Sequence, residues 1–98
     1  MNEKVYNYLL MIPKEKVTTY GKIAEYLGNK NLARVVGNIL HKNPDGDRYP
    51  CYKVVNSNGK LSTHFAFGGI EEQEKRLERD GIVVENNTVD LNKYIFKD

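Results

Sequence analysis

TTYGKIAEYLGNKNLARVVGNILHK, residues 18–42, decides the fold. The stretch reads as two short helices joined by a tight connector. Thr18 or Thr19 offers a hydroxyl to cap a helix over about 20–27, with Ile23, Ala24 and Leu27 facing inward and Gly28 ending it. Asn29-Lys30-Asn31 makes the connector, and Asn31 is the expected N-cap of a second helix over about 32–42. Leu32, Val35, Val36, Ile39 and Leu40 recur at helical period and form its expected core stripe. Two helices around a short Gly-containing turn are a helix-turn-helix, about 20–42. The other face of the second helix carries Ala33 and Gly37 one turn apart, then Arg34 and Asn38, with His41 beyond. Glycine inside a helix costs roughly 1 kcal/mol against alanine. Two readings explain it: close packing on a neighbouring helix, or a backbone kept bare for approach to nucleic acid.

Upstream, Val5, Tyr8, Leu9 and Ile12 fall at i, i+3, i+4 and i+7, which predicts a helix over 3–12 stopped by Pro13. Downstream, Asn43-Pro44-Asp45-Gly46-Asp47 is a dense turn cluster. It leads to a loop, 49–55, with the only cysteine: Pro50-Cys51-Tyr52-Lys53-Val54-Val55. Proline presets the backbone there, so the thiol leaves a rigid turn ahead of an expected strand over 51–55. Such a thiol is either a small buried hydrophobe or a nucleophile with a fixed direction. Asn56–Gly59 reads as a hairpin turn with Leu61 on the return strand, followed by an irregular loop over 62–69. Ile70–Asp80 is a well-signalled helix, acidic at its start, basic later and followed by Gly81. Ile82–Val84, Asn86-Asn87 and Val89–Leu91 predict a small hairpin that would serve as a wing.

Ninety-eight residues, 40% hydrophobic and 29% charged, fit one globular domain with one modest core. One cysteine excludes an internal disulfide and fits a reducing cytoplasm. Neither a metal-ligand pattern nor a signal peptide or membrane span is present in the sequence. Residues 1–60 hold ten Lys/Arg against five Asp/Glu, whereas residues 61–98 hold five against eight. A basic front and an acidic rear suggest a polyanion for the front, against the plainer reading of a solvated surface. No cofactor, metal or membrane is expected, and a monomer is the default.

Taken together these residues resemble the C-terminal DNA-binding and active-site domain of the alkylguanine-DNA alkyltransferases and their alkyltransferase-like relatives, from Val5 to about Val84. The matching motifs are Thr19-Tyr20-Gly21, Ala33-Arg34-Val35-Val36-Gly37, Asn43-Pro44, Pro50-Cys51 with Val54-Val55, and Gly68-Gly69. The family's preceding domain finds no counterpart, so residues 1–98 are read as one domain. The implied fold is mainly α with a small β-hairpin, a winged helix-turn-helix. The implied partner is double-stranded DNA containing alkylated guanine, read from the minor groove with the base flipped out. By that resemblance Arg34 fills the place of the extruded guanine and Tyr20 presses on the neighbouring phosphate. Ala33, Gly37 and Asn38 lie along the minor groove. Asn43, Pro50, Cys51, Tyr52, Phe65 and Phe67 shape the lesion pocket, although Phe65 and Phe67 read equally well as core or lid aromatics.

The chain departs from the family at its chemical centre. The residue after the cysteine is Tyr52, where the transferases have a histidine backed by a glutamate; Asp80 stands at the glutamate position. A phenol near pKa 10 is a poor base for a thiol near 8.5. Lys53 or helix partial charge is an alternative partner for the thiolate, and His64 in the pocket loop 62–69 a speculative replacement base. The favoured expectation is O6-alkylguanine recognition with weak or absent transfer, the lesion passing to excision-repair proteins. The alternative is an active suicide methyltransferase moving the alkyl group to Cys51, and a third reading is a regulator of the major groove.

Overall fold

The computed structural model describes residues 2–62 and 65–97, so His64 lies outside the described residues. Helix α1, Asn2–Met11, buries Val5, Tyr8 and Leu9, and Ile12 follows them inward just past its end. The i, i+3, i+4, i+7 spacing puts these side chains on one stripe, and Pro13 prevents the helix from continuing. Strand β1, Thr18–Thr19, runs straight into helix α2, Tyr20–Tyr26. Of the two candidate caps Thr19 is the one used: its Oγ1 accepts from the Lys22 N–H at 3.1 Å. Gly28 closes this helix at φ +100°, a conformation that costs a glycine little.

The connector differs from expectation. Asn29, not Asn31, supplies the cap, accepting from the Asn31 N–H at 2.9 Å and starting a 3₁₀ turn over Lys30–Leu32. Helix α3, Ala33–His41, then begins without a side-chain cap. Val36, Ile39 and Leu40 enter the core as expected, but Val35 is 38% exposed and belongs to the outer surface. The buried stripe is therefore narrower than the run of apolar residues on α3.

The expected strand over 51–55 is half turn. Cys51–Lys53 winds into a 3₁₀ segment, with the Lys53 N–H donating to the Pro50 carbonyl at 3.1 Å, and only Val54–Val55 is extended, as β2. Strand β2 pairs in parallel with β1, Thr18 against Val54 and Thr19 against Val55. The Asn56–Gly59 turn forms, but its return residue Lys60 bridges Thr88 instead of extending a hairpin on β2. Helix α4, Gly69–Arg79, buries Gln73 and Leu77. Strands β3, Val84–Glu85, and β4, Thr88–Val89, form the expected antiparallel hairpin, its turn made by Asn86 and Asn87 at positive φ. A short helix α5, Leu91–Tyr94, leads to Ile95, which bridges Val17. All buried apolar residues, from α1 through Tyr94, join one core cluster.

Candidate functional site

Cys51 sits at the start of its 3₁₀ turn, 6% exposed, where Pro50 and the N–H of Cys51 donating to the Tyr49 carbonyl at 2.7 Å fix the backbone. It lines a cavity of about 10 Å³ with Tyr20, Leu40, Ser62, Phe65 and Ala66, room for no more than one water. Burial pushes the thiol above its ordinary pKa; a hydrogen bond with Asn43 and the Arg76 guanidinium pull it back less strongly. Asn43 also donates from Nδ2 to the Tyr49 carbonyl at 2.9 Å, so one side chain ties the turn 43–49 to the thiol. Tyr20 lines the cavity with the cysteine, while Tyr6 stacks on Tyr49 and donates to the Ile39 carbonyl at 2.9 Å. Both phenols are raised, first by burial, with a smaller contribution from Cys51.

Tyr52 turns the other way and is not among the residues lining that cavity. Its hydroxyl donates to Asp80 Oδ2 at the C-cap of α4, and Arg79 Nη2 donates to the same hydroxyl at 3.4 Å. Burial, then the hydrogen bond to Asp80, push the Tyr52 phenol up to about 12. A phenol that donates to a carboxylate and holds its proton that tightly cannot receive one from a thiol. Lys53 does not serve the thiol either. Its ammonium, buried with the rest of the side chain, donates to the Pro13 carbonyl at 2.7 Å and stands 3.9 Å from Asp80. The cation whose field reaches Cys51 is Arg76, which lies over the rings of Phe65 (5.4 Å) and Phe67 (5.8 Å) and pairs with Glu72.

Gln73, wholly buried on α4, clamps this region. Its Nε2 donates to the carbonyls of Tyr52 and Val54, and its Oε1 accepts from the Ser62 N–H at 2.9 Å. One amide therefore joins the cysteine turn, β2 and the start of the pocket loop.

A larger groove of about 400 Å³ lies beside the cysteine cavity. All five residues expected to meet DNA line it: Tyr20, Ala33, Arg34, Gly37 and Asn38. Tyr20 and Ser62 line both cavities, and the Tyr20 hydroxyl donates to Ser62 Oγ at 2.8 Å across the boundary between them. Among the described residues, a methyl group built on Gly37 would meet only the Tyr20 ring, at an ordinary 3.9 Å. Packing inside the molecule therefore does not require glycine there.

The family model for the DNA binding domain of 6-O-methylguanine DNA methyltransferase matches residues 1–82. The chain belongs to that family. Among similar proteins of this methyltransferase family is a bifunctional methyltransferase/endonuclease of Picrophilus torridus, 42% identical over 94% of this chain but only 30% of its own length. A DNA base-flipping protein of Vibrio parahaemolyticus is 38% identical, with 93% of this chain and 90% of that one covered. The crystal structure of Schizosaccharomyces pombe Atl1 with damaged DNA containing O6-carboxymethylguanine superposes with a TM-score of 0.89 at 32% identity, covering 99% and 94% of the two chains.

Of the six residues expected at the lesion pocket, two line the small cavity. Cys51 and Phe65 share the small cavity, while Asn43 and Phe67 act one layer behind it, Phe67 against Phe65 and Arg76. Tyr6, Gln73 and Arg76 were not legible as site residues. Gln73 and Arg76 sit on a helix whose charge pattern masks them, and Tyr6 lies 45 positions before the cysteine. No helix among the described residues is long and apolar enough to cross a membrane.

Proposed function

We propose that this domain binds duplex DNA through the minor groove and recognises O6-alkylguanine by flipping it out, with alkyl transfer weak or absent. The observation that carries this reading is the shared wall: Tyr20 and Ser62 separate the groove of α3 from the cavity of Cys51. A base leaving the stack beside Arg34 passes that wall to reach the thiol. Taking it out costs a few kcal/mol, which Arg34 offsets by filling the vacated space. The cavity is far too small for a base, so the Tyr20–Ser62 bond must open and the Phe65–Ala66 segment move as the base enters. Ala33 and Gly37 leave the α3 backbone close enough to sugar and phosphate for a groove that carries little sequence information.

Transfer is weak in this reading because nothing on the Tyr52–Asp80 side accepts the thiol proton. A buried thiol held above its ordinary pKa is mostly protonated at neutral pH, and thiolate is the nucleophile. We place the protein in the cytoplasm, where a lone cysteine stays reduced, and excision-repair proteins are the proposed recipients of the bound lesion.

The test is incubation with a duplex carrying one O6-methylguanine, followed by intact mass and by binding against undamaged duplex. The expected result is unchanged mass with tighter binding to the lesion duplex. One methyl group gained, and lost again in Cys51→Ser, establishes the suicide transferase instead. Arg34→Ala is expected to lose lesion preference without loss of thermal stability, since the side chain is exposed.

A further inference from the structure

The chain carries a second cationic surface, assembled from segments far apart in sequence. The Val17 N–H donates to the Tyr94 carbonyl at 2.8 Å and the Phe96 N–H to the Val17 carbonyl at 2.7 Å, which makes Val17 and Ile95 parallel neighbours. Because β1 also runs parallel to β2, three extended segments lie in one direction: 54–55, 17–19 and 95–96. The first two continue into Asn56 and Tyr20, both of which line the recognition groove. The third continues into Lys97 and heads for the same edge. Lys22, two residues after Tyr20, fixes it there by donating from Nζ to the Phe96 carbonyl at 2.8 Å.

Behind that edge is an open groove of about 350 Å³. Lys16, Lys93, Lys97 and Asn92 line it together with Pro13, Ile95 and Phe96, and no acidic residue is among the described residues that line it. Glu15, the acid nearest in sequence to Lys16, lies against Gly81 instead. Lys16 Nζ donates to the main-chain carbonyl of Lys93 at 3.2 Å, which ties Lys16 to α5. The Lys93 ammonium lies over the Tyr94 ring at 5.3 Å, where a neighbouring groove also brings Glu85 and Asp90 to Lys93. Three steps of about 3.3 Å along the parallel segments separate the level of Lys16 from that of Lys97. Phosphates on one DNA strand advance about 3.4 Å along the axis per nucleotide. The backbone levels of Lys16 and Lys97 thus differ by about 10 Å, the scale of a few nucleotide steps, with Lys97 level with Thr19.

We propose that Lys16, Lys93 and Lys97 form a sequence-independent backbone track that extends the duplex contact beyond the recognition groove. Lys93 and Lys97 lie past residue 82, where the family match ends. The proposal rests on the DNA-binding reading above, but on neither lesion recognition nor chemistry at Cys51.

The test compares wild type with Lys93→Gln/Lys97→Gln and with Lys93→Arg/Lys97→Arg, titrating undamaged and O6-methylguanine duplexes across a range of salt. Each phosphate contact contributes about −0.9 to the slope of log K against log salt. The glutamine pair is expected to make that slope shallower by about 1.8 on both duplexes, with the lesion-to-plain affinity ratio within about twofold of wild type. The arginine pair, which keeps both charges, is expected to keep the wild-type slope. A glutamine pair with wild-type slope and affinity overturns the track, as does a loss confined to the lesion duplex or an equal loss in the arginine pair. A wild-type protein that binds neither duplex overturns the track and the DNA-binding reading together. A wild type without lesion preference, whose slope still falls in the glutamine pair, overturns lesion recognition alone and supports the track.

Discussion

Tyr52 and Asp80 form a buried pair in which the tyrosine hydroxyl donates to the carboxylate. By the family resemblance these are the positions expected to hold the transferases' histidine and glutamate. An imidazole at residue 52 would differ in one decisive respect: it accepts a proton near neutral pH. Because residue 52 faces Asp80, such an imidazole would reach the thiol only through a bridging water. Tyr52→His acting that way is expected to speed methyl transfer to Cys51 by about a hundredfold or more, the usual scale of a positioned base, read as a time course of intact mass. An unchanged rate would mean that residue 52 does not reach the thiol or that thiol activation is not the missing step. The same pair sets a pH signature. The Tyr52 phenol ionises near 10 in the unfolded chain and at about 12 in the folded one. The folded state therefore holds this proton more tightly. The associated stability is complete below about pH 10 and is lost as pH rises through the folded value. Urea unfolding between about pH 9 and 12 is expected to show that decline in wild type and a smaller one in Tyr52→Phe.

Among the elements, α3 shows how one helix serves two surfaces. Val36, Ile39 and Leu40 hold it to the core, while Ala33, Arg34, Gly37 and Asn38 line the groove. Gly37→Ala separates the two roles. None of the described residues obstructs the added methyl, so stability is expected to rise by up to about 1 kcal/mol in thermal or urea unfolding. Duplex affinity is expected to fall in the same variant, because the methyl stands on the groove face. Unchanged affinity would return Gly37 to a neutral surface position. The cysteine turn makes the complementary point. Its apolar run suggests a strand, but Pro50 winds the first three residues into a 3₁₀ segment, and this separates Cys51 from Tyr52 into two different environments. Alternation along a strand is the wrong basis for placing either side chain.

At the scale of the whole molecule, Lys53 ties three distant parts together: the Pro13 carbonyl after α1, the cysteine turn and the C-cap of α4. Lys53→Met would remove one of the two hydrogen bonds to that carbonyl, leaving the one from the Lys16 N–H, and would leave Asp80 short of a buried cation. It is expected to cost about 3 kcal/mol in urea unfolding, the scale of breaking a buried ion pair. A loss below about 1 kcal/mol would show that Tyr52 and Arg79 suffice for Asp80. Much of the fold is legible in the residues themselves, because periodicity and punctuation are local. The stripe of α1, the Thr19 cap, Gly28 and the Asn86-Asn87 hairpin each follow from a few neighbouring residues. Four of the groove residues, Ala33, Arg34, Gly37 and Asn38, are legible for a similar reason, standing on one face of one helix, whereas Tyr20 follows only from the family resemblance. Long-range geometry is not. Parallel pairing of β1 with β2, the Gln73 clamp, Arg76 beside the thiol and Tyr6 behind it depend on segments separated by tens of residues. Charge shows the difference most clearly. Counted along the chain, residues 61–98 are acidic; folded, two of their lysines join Lys16 and Lys22 of the basic half at one edge. Sequence alone determined which elements form and which face of each is apolar, since those depend on near neighbours. Tertiary structure alone decided which charges meet and what surrounds the thiol, since those depend on how the elements pack.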